Sequence, residues 1–75
     1  MIRELDRVVL SKPLPELDLV AGDVGTVVLV HENERGYEVE FVTLEGETYV
    51  VATGSTRDVR PIRSDEIASA RELRG

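Results

Sequence analysis

The side chains that could do chemistry are few. His31 is the single histidine and there is no cysteine, so a general base or metal site here would have to draw on the neighbouring Glu32 and Glu34. Dedicated zinc sites use three or four well-placed ligands, and a lone histidine between two strands reads as a half-exposed strand end. Glu38 and Glu40 stand two residues apart, which on a strand places both carboxylates on one face. Paired carboxylates do acid–base work where a pocket drives their pKa values apart; on an antiparallel strand with a solvated side they form an acidic face. Ser11, Ser55, Ser64 and Ser69 lie far from His31 in sequence, and none sits on a nucleophile elbow.

Gly22-Asp23-Val24-Gly25 superficially matches a phosphate loop. It lacks the lysine and the following helix, and Asp23 would repel a phosphate, so a turn is the better account. Asp18 and Asp23 lack the spacing of a calcium loop. Arg57, Arg60 and Arg63 recur every third residue and could align as a basic stripe for RNA. Asp58, Asp65 and Glu66 lie alongside to pair with them, and no exposed aromatic platform accompanies them. The sequence thus implies no catalytic residue, no metal and no cofactor.

The elements that would position these residues are short strands. Residues 5–10 carry a Val-Val-Leu run rich in β-formers. Residues 11–22 form a loop punctuated by Pro13 and Pro15, yet Leu14, Leu17, Leu19 and Val20 make it too apolar to be freely solvated. It is expected to fold back over one end of the core. Residues 22–25 turn into a second strand, 26–31, apolar on both faces, with Gly25 marking a tight bend or bulge. A polar loop at 32–36 leads to a third strand, 37–41, which alternates cleanly between Tyr37, Val39, Phe41 and the two glutamates.

Glu45-Gly46 reads as a two-residue connection to a fourth strand, 48–53. In that register Leu44 pairs with Glu47, Phe41 faces Val50 and Val39 faces Ala52 on the inner side. The outer side then carries Glu38, Glu40, Val42, Tyr49 and Val51, and a slip of one residue would exchange the faces of the fourth strand. Residues 54–58 form a turn, possible as one turn of 3₁₀ helix, before a fifth strand at 59–62 that Pro61 confines to an edge. The expected inner set is Val8, Leu10, Val28, Val39, Phe41, Val50 and Ile62. Ser64 as N-cap, with Asp65 and Glu66 in the first turn, predicts a short helix over 65–73 with Ile67, Ala70 and Leu73 on one stripe. Under three turns, it needs something to dock on.

The chain has 75 residues, one domain's worth and near the lower limit for folding without disulfides or metal. Fifteen acids against nine bases give a net charge of −6 and a pI near 4.6, which opposes binding to a phosphate backbone. No apolar run approaches the roughly 18 residues that span a bilayer. The first residues lack the basic head and apolar stretch of a secretory signal, so a cytoplasmic location and no membrane partner are expected.

Five short strands, a long ordered first loop and two hairpins predict an all-β fold, a small five-stranded half-open barrel. Residues 1–63 would form the barrel and 64–75 a helical tail. Val8-Val9-Leu10, Gly22 to Val28, Tyr37 to Phe41 and Val59-Arg60-Pro61 resemble an uncharacterised family of small bacterial SH3-like barrel proteins, a domain of unknown function, over roughly residues 2–63. The run from Gly22 to Val28 is also similar to KOW domains and to SH3-like accessory subunits of redox and hydratase complexes. The resemblance implies an SH3-like barrel and supplies no catalytic residues; gene neighbours of some relatives suggest an antitoxin or immunity role.

The outer strip is the anomaly. Small barrels present polar residues outward, whereas Val42, Tyr49 and Val51 interrupt that face, flanked by Glu38 and Glu40. Either the C-terminal helix covers them, or strongly bent strands bring them into the core, or they form a partner or self-association surface. The expectation is a non-catalytic protein-binding module, an inhibitor-type or antitoxin-like protein whose acidic face meets a basic surface on another protein, with Tyr49 as anchor. A KOW-like nucleic-acid-binding module using Arg57, Arg60 and Arg63 and an accessory subunit of a larger enzyme are the alternatives.

Overall fold

Among the described residues, runs of β-branched residues separated by Gly, Pro and Asp turns give five antiparallel strands in a single sheet. They are β1 (Arg7–Leu10), β2 (Val24–Val30), β3 (Tyr37–Val42), β4 (Thr48–Gly54) and β5 (Val59–Pro61). The computed structural model describes residues 2–32 and 36–73. Strand order is β4-β3-β2-β1-β5; β4 and β5 are the two edges and do not pair, so the sheet is not closed. Its inner face nevertheless wraps one core: Val8 and Leu10 of β1, Val27 of β2, Tyr37, Val39 and Phe41 of β3, Ala52 of β4 and Val59 of β5, joined by Leu19 from the first loop. Alternation sends Val9, also buried, to the opposite side of β1, between its cross-strand neighbours Val24 and Arg60.

The first strand is shorter than expected. The Asp6 carboxylate accepts the Arg3 N–H at 2.9 Å, and the Asp6 N–H reaches the Arg3 carbonyl at 3.1 Å. This local turn puts Leu5 at φ 71° and leaves its side chain exposed. The long loop behaves as its apolar residues require. Leu14 and Leu19 exchange two main-chain hydrogen bonds, of 2.9 and 3.1 Å, around a 3₁₀ turn at Pro15–Leu17, and this small lobe delivers Leu19 into the core.

The second strand starts two residues early, and Gly25 lies buried within it rather than in a turn. A Cβ there would meet Val39 Cγ1 at 2.5 Å and both Glu40 O and Phe41 Cε1 at 3.0 Å. The glycine thus makes room for the one phenylalanine. A bulge between Val27 and Leu29 leaves Val28 as the extra residue. Val27 therefore occupies the inner position expected for Val28, which is 39% exposed.

The β3–β4 hairpin keeps the expected long-range register, with Phe41 opposite Val50 and Val39 opposite Ala52. Its tip differs. The Gly46 N–H bonds the Thr43 carbonyl at 2.9 Å and the Thr43 N–H bonds the Glu47 carbonyl at 2.8 Å, with Gly46 at φ 90°. The connection is therefore Leu44-Glu45-Gly46, one residue longer than Glu45-Gly46, and Val42 faces Thr48. A bulge between Val42 and Phe41 absorbs Tyr49 and restores the register. The two one-residue offsets cancel, which is why the inner pairs match although the tip does not.

Two further expectations fail at the C-terminal side. Pro61 ends β5, and Ile62 lies outside it, 39% exposed; Val59 takes the inner position instead. Residues 64–73 contain no helix: Ser64-Asp65 form a turn and the rest is irregular. Glu66, meant for the first helical turn, is drawn back by the Arg60 side chain and the Arg63 N–H. Ile67, which was to lead the apolar stripe, is 93% exposed, and so short a helix does not hold without docking. Residues 74 and 75, the end of the expected tail, lie outside the described residues.

Candidate protein-binding surface

Strand alternation places Glu38, Glu40 and Val42 of β3 on the outer face, with Val51 of β4 opposite Glu40 and Thr53 opposite Glu38. Val42 and Val51 are each 49% exposed. Val24 and Leu29 of β2, both partly exposed, extend the apolar area; Leu29 pairs with Glu38. Sequence alternation alone did not place these two outward, because a strand apolar on both faces does not declare which side is covered.

The two glutamates are held rather than free. Glu38 accepts hydrogen bonds from the Thr53 hydroxyl at 2.8 and 2.9 Å and meets His31 Nε2 at 2.5 Å. The His31 contact first, then the Thr53 hydroxyl, hold the Glu38 carboxyl below the usual carboxylate range. The Thr48 hydroxyl donates to Glu40 at 2.5 Å. The partner of His31 is thus Glu38, seven residues on and across the β2–β3 hairpin, rather than its neighbour Glu32; Glu34 lies outside the described residues. Among the described residues no group of three or more His, Asp or Glu is placed to hold a metal ion.

Tyr49 does not share this face. As the bulged residue it turns inward, half-buried against the core, and its hydroxyl donates to the Leu17 carbonyl at 2.8 Å. It ties the first loop to β4. The geometry therefore brings together Glu38, Glu40, Val42 and Val51 and separates Tyr49 from them.

Asp23 has a role that no spacing in the sequence signalled. Arg71 donates from Nε to Asp23 Oδ1 at 2.9 Å and from Nη2 to Oδ2 at 2.6 Å, and Nη2 also reaches the Asp18 carbonyl at 2.9 Å. Burial pushes the Asp23 carboxyl up, but the Arg71 guanidinium and the Val20 N–H together outweigh it and hold the pKa below its ordinary value. This fork pins the irregular tail across the start of β2. Between tail and β3–β4 hairpin lies an open groove of about 640 Å³ that reaches Leu19, Phe41 and Tyr49. Within the arginine stripe, Arg60 forms a two-pronged contact with Glu66 at 2.9 and 2.6 Å. That contact, with the Arg63 N–H, brings the Glu66 carboxyl down to about 2.

The match with known proteins extends over the whole of this sheet. Residues 4–68 match the family described as a domain of unknown function, DUF4926. The chain belongs to the DUF4926 family. No curated protein and no solved structure shows significant similarity to it. The DUF4926 match spans all five strands and both hairpins, and ends inside the irregular tail, just before Arg71.

Proposed function

We propose that this DUF4926 chain is a non-catalytic protein-binding module that recognises its partner with the outer face of β3 and β4. The observation that carries this reading is the joint exposure of Val42 and Val51, 49% each, on a strand pair whose only charged side chains are glutamates. Both stay half-exposed with the tail in place. An apolar area flanked on β3 by glutamates suits a partner with a basic, partly apolar surface, which the charge would steer and the valines would hold.

The strand order, the long loop between β1 and β2 and the turn before β5 support an SH3-like reading of the sheet. An antitoxin-like or immunity-type inhibitor acting in the cytoplasm is the most concrete version, and an accessory subunit of a larger enzyme uses the same face. The engagement of Arg60 by Glu66 weighs against the KOW-like, RNA-binding reading.

The test is site-specific photo-crosslinking in the native host from positions 42 and 51, with position 12 on the first loop as control. A discrete crosslinked protein from 42 and 51, absent from 12 and lost in high salt, is the expected result. Crosslinks from position 12 alone, or to RNA, would refute the reading.

A further inference from the structure

The two edges of the sheet are not alike. β5 is short, carries Pro61, which has no N–H to offer, and has its Arg60 folded back onto Glu66. Proline and charge are the usual means of keeping an edge from pairing with a foreign strand. β4 has neither. Thr48–Gly54 reads TYVVATG, with no charged residue and no proline, and among the described residues β3 is the one strand with which it pairs. Its bulge lies at the hairpin end, at Tyr49, so that Val50 to Gly54 continue in regular register with β3.

We propose that β4 is a strand-accepting edge, which takes an extended segment of a basic, apolar partner into the sheet by main-chain hydrogen bonding. This rests on the protein-binding reading above and specifies its mode and partner chemistry. Charge chooses the occupant. Residues 37–54, the whole β3–β4 hairpin, contain four glutamates and no lysine, arginine or histidine. Two copies of this chain joined β4 to β4 would bring these acidic hairpins side by side, and the net charge of −6 on each opposes that pairing. A strand alternating basic and apolar residues fits instead. Added beside β4, its outward side chains neighbour Val51 and Thr53, and long basic side chains reach across β4 toward Glu40 and Glu38 on β3. Main-chain bonds then supply affinity, and alternate side chains supply selectivity.

The experiment uses the full chain and three end-capped eight-residue peptides: alternating Lys and Val, alternating Glu and Val, and the Lys–Val peptide N-methylated at its two central residues. Adjacent N–H groups point to opposite edges of a strand, so the double methylation blocks both edges while keeping every side chain. The Lys–Val peptide is expected to bind and to slow hydrogen exchange of β4 amides. The methylated peptide should bind about tenfold more weakly, the loss of one net main-chain hydrogen bond, and the Glu–Val peptide about tenfold or more weakly through like-charge repulsion. Val51→Lys, with circular dichroism as folding control, should weaken the Lys–Val peptide to the same degree. Equal binding of the methylated peptide would overturn edge pairing while leaving the outer face as a binding surface. Binding of no peptide, or a wild-type dimer protected along β4, would overturn the proposed partner. The photo-crosslinks from positions 42 and 51 judge the underlying reading separately, because they do not depend on main-chain pairing.

Discussion

Gly25 and Phe41 are one packing unit. The aromatic ring lies where any side chain at 25 would have to go, with Phe41 Cε1 3.0 Å from the missing Cβ and Val39 Cγ1 at 2.5 Å. Gly25→Ala should therefore destabilise the protein by about 1–3 kcal/mol through overpacking. Phe41→Ala leaves a cavity instead and should cost about 3–5 kcal/mol, a large share of the stability of so small a domain. Urea denaturation of both variants checks the pair; a Gly25→Ala protein as stable as wild type would mean that β2 does not approach β3 this closely. Tyr49 belongs at the same scale. Because its hydroxyl bonds the Leu17 carbonyl, Tyr49→Phe should lose about 0.5–1.5 kcal/mol of folding stability. Partner binding through Val42 and Val51 should be unchanged. An anchor at an interface would show the reverse, so denaturation and binding measured on one variant separate the two roles.

The tail is an element held by two polar contacts, Arg60 with Glu66 and Arg71 with Asp23, rather than by burial of Ile67. With Ile67 at 93% exposed, it adds little to the core, and the Arg71–Asp23 contact sets its position. Arg71→Gln should speed limited proteolysis within residues 66–73 several-fold while the urea midpoint hardly moves. The contact is also pH-dependent. The folded-state pKa of Asp23 is depressed, so the contribution is fully present above the ordinary aspartate value of about 3.9 and is lost as pH falls through the lower folded value. Hydrogen exchange of the tail amides should accordingly be unchanged from neutral pH down to about 3.9, after correction for intrinsic rates, and accelerate below it. Acceleration beginning near neutrality would show that Asp23 is not the group that holds the tail.

At the scale of the whole molecule, charge decides more than shape. A net charge of −6 sets a field that repels polyanions, and the basic stripe opposing it is interrupted where Arg60 is committed to Glu66. The protein should show no micromolar binding to RNA or duplex DNA near physiological salt, measured by fluorescence anisotropy. Binding that weakens on Arg60→Ala would restore the nucleic-acid reading. Among the described residues no helix is long and apolar enough to cross a membrane.

The sequence alone determined what depends on alternation and on local turn chemistry. Tyr37, Val39 and Phe41 alternate with Glu38 and Glu40, so their faces follow from a period of two, and Pro61 declares an edge because it has no N–H to donate. Tertiary structure decided whatever depends on a one-residue offset or on distant partners. The three-residue tip at Leu44-Glu45-Gly46 and the compensating bulge turn Tyr49 inward, because a bulge changes the face of a single side chain without altering the periodicity around it. Val27 rather than Val28 fills the core for the same reason. Capping signals at Ser64 promised a helix, but helix formation over so few residues needs an apolar surface to dock on, and Glu66 and Arg71 found charged partners elsewhere in the fold. The pairing of Arg71 with Asp23 spans 48 residues; no local pattern encodes it, because only the folded sheet brings the tail to the start of β2.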